Sequence, residues 1–119
     1  MKKMFFNSVS FFAAVVAVCV LLPLSVYAKG KDMKQIPNGK KFQCAQCHSN
    51  GNYKPEGYTA FGKDYQVNGR LWNALLAKKD SDGDGKTNGQ ELGNPDGSWK
   101  KGDTDPSGPV TNPGDAANR

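Results

Sequence analysis

Two hydrophobic patterns run along this chain without overlapping. At the start, Lys2 and Lys3 lead into an unbroken apolar run from Phe11 to Leu22, closed by Pro23 and by Val26-Tyr27-Ala28. A positive end, an apolar stretch and short side chains before a cut have the layout of a secretory signal, so residues 1–28 are expected to be removed. The run is too short to span hydrocarbon, and no membrane span is expected after cleavage. Cys19 lies inside the run behind Val18 rather than behind a small residue, which argues against a lipid-anchored cysteine.

Beyond residue 28 the apolar positions are sparse and come in short periodic clusters. Thr59 can cap a helix over Ala60 to Val67, with Phe61 and Tyr65 four apart on one face despite Gly62, and Asn68-Gly69 ends it. Arg70 to Lys79 carries the clearest helical stripe, Leu71, Trp72, Leu75 and Leu76, with Lys78 and Lys79 suited to its C-terminal end. After Glu91 a helical turn can reach only about Leu92, because Gly93-Asn94-Pro95 stops it. The rest reads as turns: a frayed start, a turn-rich stretch from Ile36 to Gly51 with a short helix near its cysteines, and a loop from Asn50 to Gly57. From Asp96 to Arg119 three prolines leave only Trp99 and Val110 as large apolar anchors, so this segment is expected to wrap the surface in extended turns. The expected fold is one small α-rich, largely irregular domain over 36–114, between flexible ends at 29–35 and 115–119.

Composition sharpens this. Two lysines leave with residues 1–28, so 16 Lys and Arg against 11 Asp and Glu become 14 against 11, too balanced for a nucleic-acid module. All 14 glycines stay in the mature part. A chain this small and glycine-rich loses much backbone entropy on folding and needs a staple beyond apolar burial. Charge is also polarised: Lys29 to Lys79 is basic and Asp80 to Arg119 acidic, so the halves attract weakly.

One candidate staple is the run Asp80-Ser81-Asp82-Gly83-Asp84-Gly85-Lys86-Thr87-Asn88-Gly89-Gln90-Glu91. Calcium takes six to eight oxygens, and a twelve-residue EF-hand-like loop supplies them from positions 1, 3, 5, 7, 9 and 12. Those positions hold the carboxylates of Asp80, Asp82 and Asp84, the carbonyl of Lys86, Asn88 directly or through water, and Glu91, with Gly85 at the sharp turn. Four carboxylates around one point repel without a cation. Thr87 replaces the β-branched hydrophobe that would pair with a second loop, so a lone loop with a structural ion is expected.

The other candidate is Cys44-Ala45-Gln46-Cys47-His48. Two thiols three residues apart followed by His form the attachment pattern of haem c, in which both thiols bond the porphyrin and the imidazole ligates iron. Met33, a lysine, water or nothing would fill the second axial position. The alternative is a Cys44–Cys47 disulfide in a haem-free protein. A zinc site has only three ligands available here.

The stretches Phe61-Gly62-Lys63-Asp64-Tyr65, Trp72, Asp80 through Trp99 and Asn112-Pro113-Gly114 resemble the temptin family of secreted proteins and its bacterial relatives. The resemblance implies a single calcium-loaded EF-hand-like loop on a small irregular α-rich domain with disulfide-paired cysteines. Where it implies cysteines near the helix end and after Asn94-Pro95-Asp96, this chain has Ala77 and Gly97. The expectation is therefore a periplasmic or secreted calcium-binding domain carrying one haem c and working as an electron carrier with a redox partner protein. The alternative is a haem-free structural or interaction protein that meets another secreted protein. No catalytic constellation is present, since His48 is the sole histidine and the carboxylates cluster in the loop.

Overall fold

The computed structural model describes residues 30–119, so the signal at 1–28 and Cys19 lie outside the described residues. Among the described residues there are four short helices, α1 (Gly39–Phe42), α2 (Ala60–Val67), α3 (Ala74–Ala77) and α4 (Asn88–Glu91), and 3-10 turns at Asp32–Gln35, Gln43–Gln46 and Pro55–Gly57, all before α2. Among the described residues there is no strand, only an antiparallel bridge between His48 and Tyr58.

Helix α2 forms where the sequence places it. Thr59 accepts the Gly62 N–H, and its own hydroxyl donates to the Gln46 carbonyl. Phe61 and Tyr65 are buried on the inner face. Gly62 is needed for packing, because a Cβ there would collide with the Cys47 carbonyl oxygen. The helix therefore lies directly on the cysteine segment.

Where the stripe predicts a helix over Arg70 to Lys79, the structure has only Ala74–Ala77. Gly69 and Arg70 are left-handed (φ 72 and 58). Asn68 donates to the Leu71 carbonyl, and Asn73, extended at φ −160, accepts the Leu76 N–H as the cap. Asparagine side chains here outcompete helix propagation. Trp72 and Leu76 turn inward, but Leu71 and Leu75 are 60% and 74% exposed, so half of the expected stripe faces solvent.

Helix α4 starts at a reciprocal cap: Thr87 accepts the Gln90 N–H while Gln90 accepts the Thr87 N–H. It ends at Gly93 (φ 78), as the Gly-Asn-Pro sequence predicts, and packs against α3. The core is Ile36, Phe61, Tyr65, Trp72, Leu76, Ala77, Leu92 and Trp99.

So small a core is supplemented by buried asparagines. Chain without strand ladders leaves carbonyls to satisfy, and an Asn amide both donates and accepts. Asn38, 2% exposed and left-handed, donates its N–H to Asp105 Oδ1 and its Nδ2 to the carbonyls of Leu92 and Pro106. The half-buried Asn94 adds an Oδ1 that accepts from both the Trp72 indole and the Trp99 N–H. Asn112 accepts the Gly114 N–H and donates to Ala45. Trp99 is buried, whereas Val110, the other expected anchor of the C-terminal segment, is only half-buried. Buried Asn112 and Pro113 sit beside it. At the expected loose start, Asp32 accepts from the Tyr65 hydroxyl and lies 4.0 Å from Arg70. At the tail, Asn118 Oδ1 accepts the Asn112 N–H.

Ala77 is fully buried, and a Cβ at Gly97 would press on the backbone of Asn73 and Ala74. At the two positions where the resemblance implies cross-linking cysteines, close backbone packing is found instead.

Asn38→Ala leaves the Leu92 and Pro106 carbonyls without their donor and should cost about 2–3 kcal/mol. Urea unfolding followed by circular dichroism measures it; an unchanged midpoint would show that these ties contribute little.

Candidate metal centre

The acidic loop leaves the end of α3 and returns at α4, and its mouth is fixed from outside. Lys79 Nζ lies 2.7 Å from Asp64, whose other oxygen accepts from Ser81 Oγ at 2.7 Å. Burial alone would raise the Asp64 carboxyl, but these two bonds and the lysine charge hold it below the usual range. Ser81 is tied in turn to Asn88, which accepts its N–H and donates to its hydroxyl.

Inside the loop the first three aspartates fold the backbone around themselves. Asp80 accepts the N–H groups of Gly83, Asp84 and Gly85, Asp82 accepts that of Asp84, and Asp84 accepts that of Lys86. Gly85 takes φ 94, a conformation open to a residue without a side chain. Ligand oxygens of Asp80, Asp82 and Asp84 lie within 4.8 Å of one another.

Glu91 is 1% exposed at the end of α4, where its Oε1 accepts from Thr111 Oγ1 at 3.1 Å. Asp82 Oδ2, Asp84 Oδ2 and Glu91 Oε2 are buried and have no hydrogen-bond partner. Burial first, then the charges of Asp82, Asp84 and Asp80, push Glu91 from the ordinary 4.5 up to about 7, against the Thr111 bond. Asp82 is raised as well, by burial and by its neighbours Asp84 and Asp80, although the Asp84 N–H partly offsets this. Unpaired buried carboxylate oxygens are costly, and a hard divalent cation fits this donor set.

Of the sequence-predicted ligands, the structure brings Asp80, Asp82 and Asp84 together; Glu91 lies outside that close group, near enough for their charges to raise its carboxyl. Asn88 is engaged elsewhere. It is fully buried, its Nδ2 donates to Leu76 and Ser81, and its Oδ1 accepts from Ser81. Lys86 presents an exposed residue on the loop. Sequence reading misses Thr111, which binds Glu91 through its hydroxyl and again through its N–H to the Glu91 carbonyl. Twenty residues separate them, and nothing local marks the pair.

The cysteine motif is arranged differently. Cys44 is exposed on the 3-10 turn, while Cys47 packs against the core, and both thiols are free. Burial, then Asp32 and Cys44, push the Cys47 thiol up to about 12. The His48 ring lies against Tyr58 and Tyr53, with centroids 4.7 Å and 5.4 Å away. Among the described residues, Cys44, Cys47 and His48 do not converge as a metal triad.

Glu91 gives a pH dependence of the cation-free protein with a definite sign. A carboxyl raised on folding holds its proton longer when folded, so stability is highest below the ordinary 4.5 and falls as pH rises toward 7. Melting in chelator between about pH 5 and pH 7 should show a falling midpoint. Glu91→Gln should flatten the slope; a midpoint that rises with pH in the parent chain would contradict this electrostatic account.

A family model described as Temptin C-terminal matches residues 26–115. Temptin of Aplysia californica is 39% identical over 77 residues, which cover 58% of this chain and 62% of that relative. The chain thus spans less than two thirds of that relative's length. No solved structure matches. The family match runs through the acidic loop, the buried asparagines and the Asn112-Pro113-Gly114 turn, and on it this chain belongs to the temptin family.

Proposed function

We propose that this is a secreted, calcium-stabilised temptin-like protein that acts by presenting a surface to another secreted protein, rather than by catalysis or electron carriage. The observation that carries the reading is the trio of buried, unpartnered carboxylate oxygens on Asp82, Asp84 and Glu91. Asp80, Asp82, Asp84, Glu91 and the Lys86 carbonyl would hold the ion, with Asn88 fixing the loop from behind. Bound calcium supplies the positive charge that lets these carboxylates stay ionised together. Thr111 then links the same Glu91 to the C-terminal segment, so the metal loop and that segment share one anchor.

The haem reading has less support, because Cys47 faces the core and His48 is packed between tyrosines. Outside the cell, Cys44 and Cys47 can close a small disulfide instead.

Two measurements test this. At calcium about a hundredfold above its dissociation constant, binding should add about 2.7 kcal/mol. For a domain of this size that raises the melting midpoint by roughly 10–20 °C over chelator. Asp82→Ala should remove the difference, and a parent chain melting identically in calcium and chelator would refute the ion. Separately, protein from a host that matures c-type cytochromes should be colourless, with the mass of the chain alone; a haem-sized mass gain with visible absorbance would restore the electron-carrier reading.

A further inference from the structure

Asparagine followed by glycine occurs four times in this chain, at Asn38-Gly39, Asn50-Gly51, Asn68-Gly69 and Asn88-Gly89. The pair is chemically special, because a glycine nitrogen with no side chain beside it can reach the asparagine side-chain carbonyl and close a cyclic imide. Reaction requires that both groups be unbonded and that the backbone have room to rotate, and the fold decides both.

Three of the pairs are locked. Asn38 is 2% exposed, its amide donates to the Leu92 and Pro106 carbonyls, and the Gly39 N–H donates to Ile36. Asn88 is fully buried with its amide on Leu76 and Ser81, and a Cβ at Gly89 would press on the Asn94 carbonyl, so the backbone there has no room. The Asn68 amide donates to the Leu71 carbonyl and to Asn73 Oδ1, while the Gly69 N–H donates to Gln66.

Asn50-Gly51 differs on each count. Both residues are exposed and left-handed, φ 51 and 70, and form a mirror-image turn closed by the Asn52 N–H on the Ser49 carbonyl at 2.9 Å. Among the described residues neither the Asn50 amide nor the Gly51 N–H has a hydrogen-bond partner. A Cβ at Gly51 would meet nothing within 4 Å, so one exposed turn bond is all that resists rotation.

We propose that Asn50 is a site of spontaneous covalent modification, with water as its only co-reactant. The turn opens, the Gly51 nitrogen attacks Asn50 Cγ, and its proton leaves with the Nδ2 group as ammonia. An N–Cγ bond thus replaces the Cγ–Nδ2 bond. Water then opens the imide at either carbonyl, giving aspartate or isoaspartate, and nothing is oxidised or reduced. Either product adds a carboxylate to the basic half of the chain. Isoaspartate also lengthens the main chain inside the turn, so the Asn52 to Ser49 bond is lost. The bonds from Ser49 N–H to Gly57 and from Thr59 N–H to Cys47 lie outside the turn and confine the change to it.

The calcium-loaded chain is aged in warm, mildly alkaline buffer made with heavy-oxygen water, then mapped by peptide mass spectrometry. Heavy oxygen enters where an amide has become a carboxylate, so each pair is read separately. Asn50 should convert at least about tenfold faster than Asn38, Asn68 and Asn88, which react only after local opening. Its product should be mainly isoaspartate and should accept methyl groups from an isoaspartyl methyltransferase. In denaturing urea the four pairs should react at similar rates, because each has glycine next. N50Q, whose longer arm closes the ring poorly, should lose the fast conversion and melt like the parent. Conversion of Asn50 no faster than the other three in the folded chain, a tenfold difference that persists in urea, a product of aspartate without isoaspartate, or fast conversion surviving in N50Q would each overturn the proposal.

Discussion

Mutual repulsion among carboxylates is the constraint around which this molecule is organised. Asp80, Asp82 and Asp84 are drawn together by a loop whose backbone N–H groups bond them, and Glu91 lies within reach of their charge, so the geometry is held even while the charges oppose it. Hydrogen bonding satisfies both oxygens of Asp80 but only one of Asp82, Asp84 and Glu91, leaving Asp82 Oδ2, Asp84 Oδ2 and Glu91 Oε2 with nothing. A cation there would remove the repulsion and the unpaired acceptors in one step, which is how a weak site can matter to a small fold.

What surrounds the loop transmits that dependence. Glu91 is followed at once by Leu92 in the core, by Gly93 and by Asn94, which grips both tryptophans. Asn38 donates to the Leu92 carbonyl from the other side of the chain, and Thr111 holds Glu91 itself. Within five residues, the end of the acidic loop therefore meets the N-terminal turn, α3 and the C-terminal segment. A domain with eight core residues and free thiols can hold together this way because each asparagine satisfies backbone groups that a sheet would otherwise pair.

The cysteine motif is a case where spacing and context part company. Cys-x-x-Cys-His describes which atoms are near in sequence, and in this fold Cys44 is exposed while Cys47 is partly buried against the core. The close approach of Gly62 to the Cys47 carbonyl brings α2 against the backbone of the motif. The same three residues on a surface left uncovered would mean something else.

Local chemistry in the sequence was enough for every feature made by neighbours: the Thr59-capped helix with Phe61 and Tyr65 inward, the stop at Gly93, and the convergence of Asp80, Asp82 and Asp84, because each depends on residues a few positions apart. The helix over 70–79 misread because its apolar stripe was stronger in the sequence than the three asparagine and glycine contacts that break it. The commitment of the Asn88 amide to Leu76 and Ser81 is visible only in the folded chain. Thr111 on Glu91, Asn38 on Leu92 and Asn94 on the Trp72 indole were decided by tertiary structure alone. Each joins residues twenty or more apart, and a hydrogen bond between such distant segments leaves no period in the sequence, only a place in space once the chain has closed.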